Sequence, residues 1–180
     1  MSWTKQGWLL ICAAATMPAQ SRGLANEPVP QLDAARYAGH WHEIAHLPMY
    51  FQRQCVDHVT ADYTVRADGT FGVRNVCRTR NDVADSAEGV ARPVKGRPGA
   101  LQVRFAPAWL AWLPLVWADY WVIELDPDYR WAVVGSPSRK YLWILSRTPR
   151  MDRALYDELR EHATMRGYAV DKLIVTGTVN

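Results

Sequence analysis

Residues 39–47 form the stretch GHWHEIAHL, and whether this stretch is a helix or a strand decides the fold. It contains H-E-x-x-H, the zinc-hydrolase signature, which needs a helix so that the two histidines lie one above the other. Gly39 and Pro48 bracket the stretch closely and leave little room for a helix. On a strand, four residues span about 13 Å, too far for two zinc–nitrogen bonds of about 2.1 Å each. We therefore predict a strand from Trp41 to Leu47 and expect no metal site.

Seven further segments of β type follow, separated by turn signals such as Asp68-Gly69. Their regular spacing and period-2 alternation are typical of an all-β sandwich or a closed barrel. Because the connections are short, strands that are adjacent in sequence should pair in antiparallel fashion. The seven predicted strands are Val56–Val65, Thr70–Arg78, Ser86–Val94, Ala100–Phe105, Trp121–Leu125, Trp131–Gly135 and Tyr141–Ser146.

One segment interrupts the series of strands. From Met151 to Arg166, apolar residues recur every four positions, which predicts an amphipathic helix. Asp152 in the first turn and Gly167 after the last turn suit the two ends of a helix. The helix should lay its apolar side against the outside of the sheet, and Lys172–Thr176 should form a short last strand.

Residues 1–25 have the features of a signal peptide: Lys5, a short apolar run, and a small-x-Ala cleavage site that ends at Ala25. We predict export, cleavage of this segment and a single domain over residues 26–180. A lipid anchor on Cys12 is the alternative. The chain has a net charge of +3, and loss of the segment leaves the domain nearly neutral. This charge gives no basis for nucleic-acid binding.

Cleavage leaves two cysteines, Cys55 at the start of the second strand and Cys77 near the end of the third. Two cysteines in an exported domain favour one disulfide, and two buried thiols are the alternative. A cysteine nucleophile requires that both stay reduced. Strict hairpin register would place Cys55 a few residues beyond Cys77, so the disulfide requires a β-bulge.

Gly39-x-Trp41 lies just before the first strand, residues 126–133 form the turn between the sixth and seventh strands, and residues 143–149 end the eighth. These three stretches resemble the signature regions of the lipocalin family. The resemblance covers residues 30–176 and is closest to the bacterial branch, which includes an outer-membrane lipoprotein and is related to apolipoprotein D. It implies an eight-stranded antiparallel up-and-down β-barrel with one C-terminal helix packed outside.

The resemblance also implies structural roles for five residues. Trp41, introduced by Gly39, should plug the closed end of the barrel. Arg147 should pack across its indole in a cation–π contact and satisfy nearby carbonyls. Asp128 and Tyr129 should organise the adjacent turn.

An eight-stranded barrel is just wide enough to hold one small ligand. If Trp41 and Arg147 point inward, period-2 alternation places one set of mainly apolar side chains inside, as in small-molecule sites. A fully packed barrel core would have the same pattern. Glu43 shares the parity of Trp41 and would need a partner inside. The predicted lining residues are Val59, Ala61, Tyr63, Phe71, Val73, Asn75, Tyr141 and Trp143.

The loop 106–117 has no charged or hydrogen-bonding side chain other than three indoles. We expect this loop at the open end of the barrel. Its composition is compatible with contact with a bilayer, with a lid over the pocket and with a homodimer contact. The residues of this predicted contact are Trp109, Leu110, Trp112, Leu113 and Trp117.

These features predict a protein that binds, and transports or stores, a small hydrophobic or amphiphilic ligand of fatty acid or lysophospholipid type. We expect it in the bacterial envelope, in the periplasm or at the outer membrane, with no cofactor and no catalytic residue. Two alternatives are kept. One is a zinc hydrolase that uses His42, Glu43 and His46, and the other is an envelope protein that acts through its tryptophan-rich loop.

Overall fold

Eight antiparallel strands close into one barrel in the computed structural model, which describes residues 23–180. Each strand pairs with the next along the chain, and the eighth pairs back with the first. The predicted eight-stranded up-and-down barrel is confirmed. The strands are β1 (Gly39–His46), β2 (Cys55–Val65), β3 (Phe71–Thr79), β4 (Ala84–Val94), β5 (Arg97–Arg104), β6 (Ala118–Leu125), β7 (Trp131–Gly135) and β8 (Leu142–Ser146).

The stretch that carries H-E-x-x-H is the extended strand β1, as predicted. Its register against β8 shifts between Glu43 and Ala45, which marks a β-bulge. Before the bulge, Trp41 and Glu43 face the barrel interior. The irregularity changes the parity of the strand, so that His46 also reaches Glu43 while Ile44 packs outward under the C-terminal helix.

The C-terminal helix packs on the outside of the barrel, as predicted, but it is shorter than the predicted Met151–Arg166. It forms α2 (Arg153–Met165), and Asp152 is its N-cap, since the carboxylate accepts the backbone N–H of Leu155. Its buried residues are Tyr156, Leu159 and Ala163. Within residues 23–180, no helix combines the length and the apolar character needed to cross a membrane.

Short elements complete the barrel at its edges. The predicted last strand is present as β10 (Ile174–Val175), which pairs with the second half of β1. The structure also contains a parallel pair of β9 (Arg150–Met151) with β11 (Thr178–Val179) and the short helix α1 (Ala34–Tyr37), none of which was predicted. These pieces are too short to carry a periodic signal. Residues 1–22, with most of the predicted signal peptide and Cys12, lie outside the described residues.

The apolar side chains form two separate clusters. One lies between α2 and the outer wall of the barrel, around Ile44, Ile144 and Leu159. The other fills the closed end of the barrel around Trp41 and Tyr37, both of which are fully buried. Since packed side chains occupy this end, the interior is available for a ligand only at the opposite end.

Candidate ligand-binding cavity

Trp41 and Arg147 together seal the closed end. The Arg147 guanidinium carbon lies 3.7 Å from the centroid of the Trp41 ring, and the indole N–H donates to the Tyr37 carbonyl at 2.8 Å. This end therefore has no opening for a ligand. The guanidinium also donates hydrogen bonds to the backbone carbonyls of Arg36, Tyr37, Ala38, His40 and Tyr129.

Gly39 is needed where the chain enters β1. Its φ is +96°, a backbone conformation that residues other than glycine rarely adopt. A Cβ at this position would lie 3.4 Å from Nη1 of Arg147, at the limit of ordinary van der Waals contact. The Gly-x-Trp pattern therefore has a backbone reason: the chain enters β1 through a conformation that favours glycine.

The turn between β6 and β7 is organised by Asp126, and the prediction of Asp128 for this role is wrong. Asp126 is 2% exposed, and its Oδ2 accepts the backbone N–H groups of Asp128 and Arg130 at 3.0 Å each. Its carboxylate also accepts two bonds at 2.9 Å from the Arg130 side chain, which hold the pKa of Asp126 below its usual range. Asp128 points into solvent. Tyr129 does take part, since its hydroxyl accepts the backbone N–H of Asp33.

Three tyrosine hydroxyls form the layer above the sealed end. Tyr120 bonds to Tyr37 at 2.7 Å and to Tyr63 at 2.9 Å. Burial raises the pKa of Tyr63 to about 12 and raises the pKa of the other two tyrosines above the usual range. All three therefore stay neutral near pH 7 and keep their hydroxyl protons. Tyr120 was missed because the sixth strand begins three residues before its predicted start.

Above this layer the barrel encloses a cavity of ≈ 490 Å³ that opens between the loops at the other end. This volume lies within the range of about 300–1,000 Å³ typical of ligand pockets. Of the predicted lining residues, seven surround the cavity: Val59, Ala61, Tyr63, Val73, Asn75, Tyr141 and Trp143.

Phe71 does not line the cavity, contrary to the prediction. It is 1% exposed and belongs to the cluster at the closed end, where its ring lies edge-on to Tyr63 at 6.5 Å between centroids. Alternation correctly places it inside the barrel. However, Phe71 is the first residue of β3, below the floor of the cavity.

A polar group forms part of the cavity wall near β1. Glu43 is 5% exposed and lines the cavity, and its Oε1 lies 2.6 Å from Nδ1 of His46 and 2.8 Å from the Thr176 hydroxyl. Its Oε2 accepts a bond from the Gln52 amide at 2.7 Å. The buried carboxylate therefore has the partners that its inward position requires. His46, Gln52 and Thr176 were not predicted, because they reach Glu43 through the bulge, a loop and the C-terminal segment.

A disulfide joins Cys55 and Cys77 beside the mouth of the cavity, with Cα atoms 5.5 Å apart. The register between β2 and β3 shifts twice, between Cys55 and Asp57 and again between Asp57 and Thr60. His58 lies in the second shift with a φ of +50°. The prediction of a disulfide that depends on a bulge is confirmed.

The family model of the lipocalin-like domain matches residues 32–178. The chain is a lipocalin. It is 42% identical to temperature-induced lipocalin-1 of Arabidopsis thaliana over 150 residues, which cover 82% of this chain and 80% of that protein. It is 36% identical to the outer membrane lipoprotein Blc of Citrobacter freundii over 167 residues, which cover 91% of this chain and 88% of that protein.

The more distant comparisons agree with this assignment. Apolipoprotein D of Bos taurus is 28% identical over 157 residues, which cover 82% of this chain and 78% of that protein. The structure of insecticyanin from Manduca sexta superposes with a TM-score of 0.64 at 21% identity, covering 88% of this chain and 93% of that one. The predicted resemblance to the Blc-like branch, related to apolipoprotein D, is confirmed. Lipocalins bind small hydrophobic ligands and are typically binding or transport proteins.

The tryptophan-rich loop of this lipocalin lies at the mouth of the cavity. Trp109 and Trp112 are 73% and 76% exposed, and Leu115, which lines the rim, is 97% exposed. Trp117 is held against the barrel instead: its indole N–H donates to the Ala111 carbonyl at 2.8 Å, and arginine side chains pack on its ring. Leu110 and Leu113 are half-buried. Of the five residues predicted for this contact, Trp109 and Trp112 are the exposed ones, so the exposed apolar surface is smaller than predicted.

The H-E-x-x-H residues of this lipocalin do not converge on one point. His42 lies on the outer surface, with its ring 4.7 Å from that of His40, whereas His46 is buried against Glu43. An extended strand with a bulge separates the two imidazoles, so the geometry of the zinc-hydrolase alternative is not formed. Among residues 23–180, no group of three His, Cys, Asp or Glu side chains is placed to hold a metal ion.

Proposed function

We propose that this lipocalin carries a single-chain amphiphile, of the size of a fatty acid or lysophospholipid, in the bacterial cell envelope. The observation that carries the proposal is the cavity of ≈ 490 Å³, closed at the Trp41 end and open between the loops. An apolar interior with one opening suits a molecule that buries its chain and keeps its head near the mouth. Binding, rather than catalysis, is the proposed activity.

The relatives support the location. The similar proteins from Citrobacter freundii, Vibrio cholerae and Escherichia coli are named outer membrane lipoproteins. The chain also begins with an apolar segment that has the features of an export signal. The proposal therefore places the protein in the periplasm or at the outer membrane, with lipid as its partner.

Native mass spectrometry of protein purified without detergent is expected to detect one lipid molecule per chain. After removal of that lipid, palmitoyl lysophosphatidylethanolamine should bind again with a stoichiometry of one. The reason is that a cavity of this volume accommodates one chain and has one mouth. A protein that is empty as purified, and that takes up no amphiphile afterwards, contradicts the proposal.

We also propose that the tip of the loop 106–117 contacts the bilayer surface. Trp109, Trp112 and Leu115 are the most exposed apolar residues of the loop, and on another open-end loop Tyr50 is 71% exposed. Indole side chains favour the interface between water and lipid. This position would bring the mouth of the cavity to the surface from which a lipid must enter.

Replacing Trp109 and Trp112 together with Ser is expected to lower binding to liposomes of mixed phosphatidylethanolamine and phosphatidylglycerol by about tenfold or more, because two interfacial anchors are lost. The affinity for soluble lysophospholipid should stay within about twofold. Sedimentation with liposomes measures the first effect and titration measures the second. The matched control is Trp131→Ser in β7, away from the mouth. Unchanged liposome binding refutes bilayer contact. In that case, a loss of ligand affinity would indicate that the loop is a lid, and the loss of a dimer would indicate that it is a subunit contact.

A further inference from the structure

The charged side chains around the cavity all have the same sign. Three carboxylates line it: Glu43 in the wall, and Asp85 and Asp119 near the mouth. Among the described residues that line the cavity there is no Lys, Arg or His. Asp85 and Asp119 are exposed and, in the part of the chain that the structure describes, neither has a basic side chain within 4.0 Å. The lining therefore presents carboxyl groups, and no basic group, from the wall to the mouth.

Two basic residues close to the cavity are directed away from it. Arg104 is buried, donates to the Ala106 carbonyl, and lines a separate groove on the outer wall together with Arg66 and Arg74. His46 lies behind Glu43, with Nδ1 directed at the carboxylate. An anionic head inside the cavity would therefore lose its hydration without gaining a cation, and it would lie among like charges.

We propose that the cavity selects single-chain amphiphiles with an ammonium head over those with a carboxylate head. This inference rests on the proposed function and names the ligand class of the same site. An ammonium group brings a positive charge and three donors, which match the carboxylates of the wall and the mouth. The orientation of the ligand does not alter the preference, because acceptors line both the wall and the mouth. An alcohol of the same length supplies a donor without charge and has intermediate affinity.

Three probes with the same alkyl chain test this selection: dodecylamine, dodecanol and dodecanoate, titrated into delipidated protein at neutral pH and below micelle formation. Dodecylamine is expected to bind about tenfold tighter than dodecanoate, which is the ratio that about 1.4 kcal/mol produces, with dodecanol between them. Dodecanoate binding as tightly as dodecylamine overturns the inference and leaves the proposed function standing. Failure of all three probes and of lysophospholipid overturns both.

Substitutions test whether the carboxylates at the mouth cause the preference for an ammonium head. In the double variant Asp85→Asn with Asp119→Asn, the ratio between dodecylamine and dodecanoate should fall to about threefold or less, since the mouth loses two charges. The matched control is Asp128→Asn, which removes an exposed charge at the closed end and should leave the ratio unchanged. A double variant with the full ratio contradicts the electrostatic basis of the selection.

Discussion

Replacing Arg147 with Ala is expected to lower the free energy of unfolding by about 3–4 kcal/mol, because several carbonyl acceptors and one face of an indole lose their partner together. The side chain bonds to carbonyls from the segment before β1 and from the turn before β7, and it lies 3.7 Å over Trp41. The side chains of Arg36 and Tyr129 also join these segments, through one hydrogen bond each, whereas Arg147 donates five. A domain of this size should show a decrease of roughly 10 °C in its melting temperature.

Urea titration and thermal melting, followed by circular dichroism, measure this effect. Arg80→Ala is the matched control, because Arg80 is exposed on a loop at the open end, and it should change stability by less than about 0.5 kcal/mol. Arg147→Lys keeps the charge but loses the planar fork of donors, so it should recover only part of the stability. A loss below about 1 kcal/mol for Arg147→Ala would show that the closed end does not depend on this side chain.

Replacing Ala61 with Trp is expected to weaken lysophospholipid binding by about a hundredfold or more while the barrel still folds. Ala61 lines the lower cavity on β2, beside Asn75, so an indole at this position occupies space that the chain of the ligand needs. The empty volume receives the new side chain, so the loss of stability should stay within the about 1–3 kcal/mol of an overpacked core.

The matched control is Thr64→Trp, which adds an indole to the outer, exposed face of the same strand. It should leave the affinity for palmitoyl lysophosphatidylethanolamine unchanged. Isothermal titration and thermal melting of both variants separate blocked binding from unfolding. If Ala61→Trp binds as tightly as the unsubstituted protein, the ligand lies outside the barrel.

Most of the architecture could be predicted from local pattern. Period-2 alternation and turn residues indicated all eight strands, and four-residue spacing indicated the helix, because these signals depend only on neighbours in sequence. The bulge in β1 had no such signal. It arises from the register of β1 against β8, and it determines that His46 meets Glu43 inside the barrel.

The candidate site could be predicted in part, for a similar reason. Period-2 alternation indicates the face of the strand on which a side chain lies, but it does not indicate the position of that side chain along the barrel axis. It therefore identified Val59 and Asn75 and misplaced Phe71, which lies under the floor. Residues brought to the cavity by loops, such as Gln52, follow no period. Asp126 was overlooked because its role depends on the depth at which the turn meets the barrel, where its carboxylate becomes buried and accepts hydrogen bonds from Arg130.

The sealed end beneath the tyrosine layer has a kinetic consequence. Because Trp41 and Arg147 block one end, a ligand enters and leaves through the same opening. A second ligand molecule therefore cannot displace the first from the other end. Ligand exchange is then sequential, since the bound molecule must dissociate before another binds. The lifetime of the complex is set by the dissociation rate of the bound ligand past the loops and does not depend on the concentration of competing ligands.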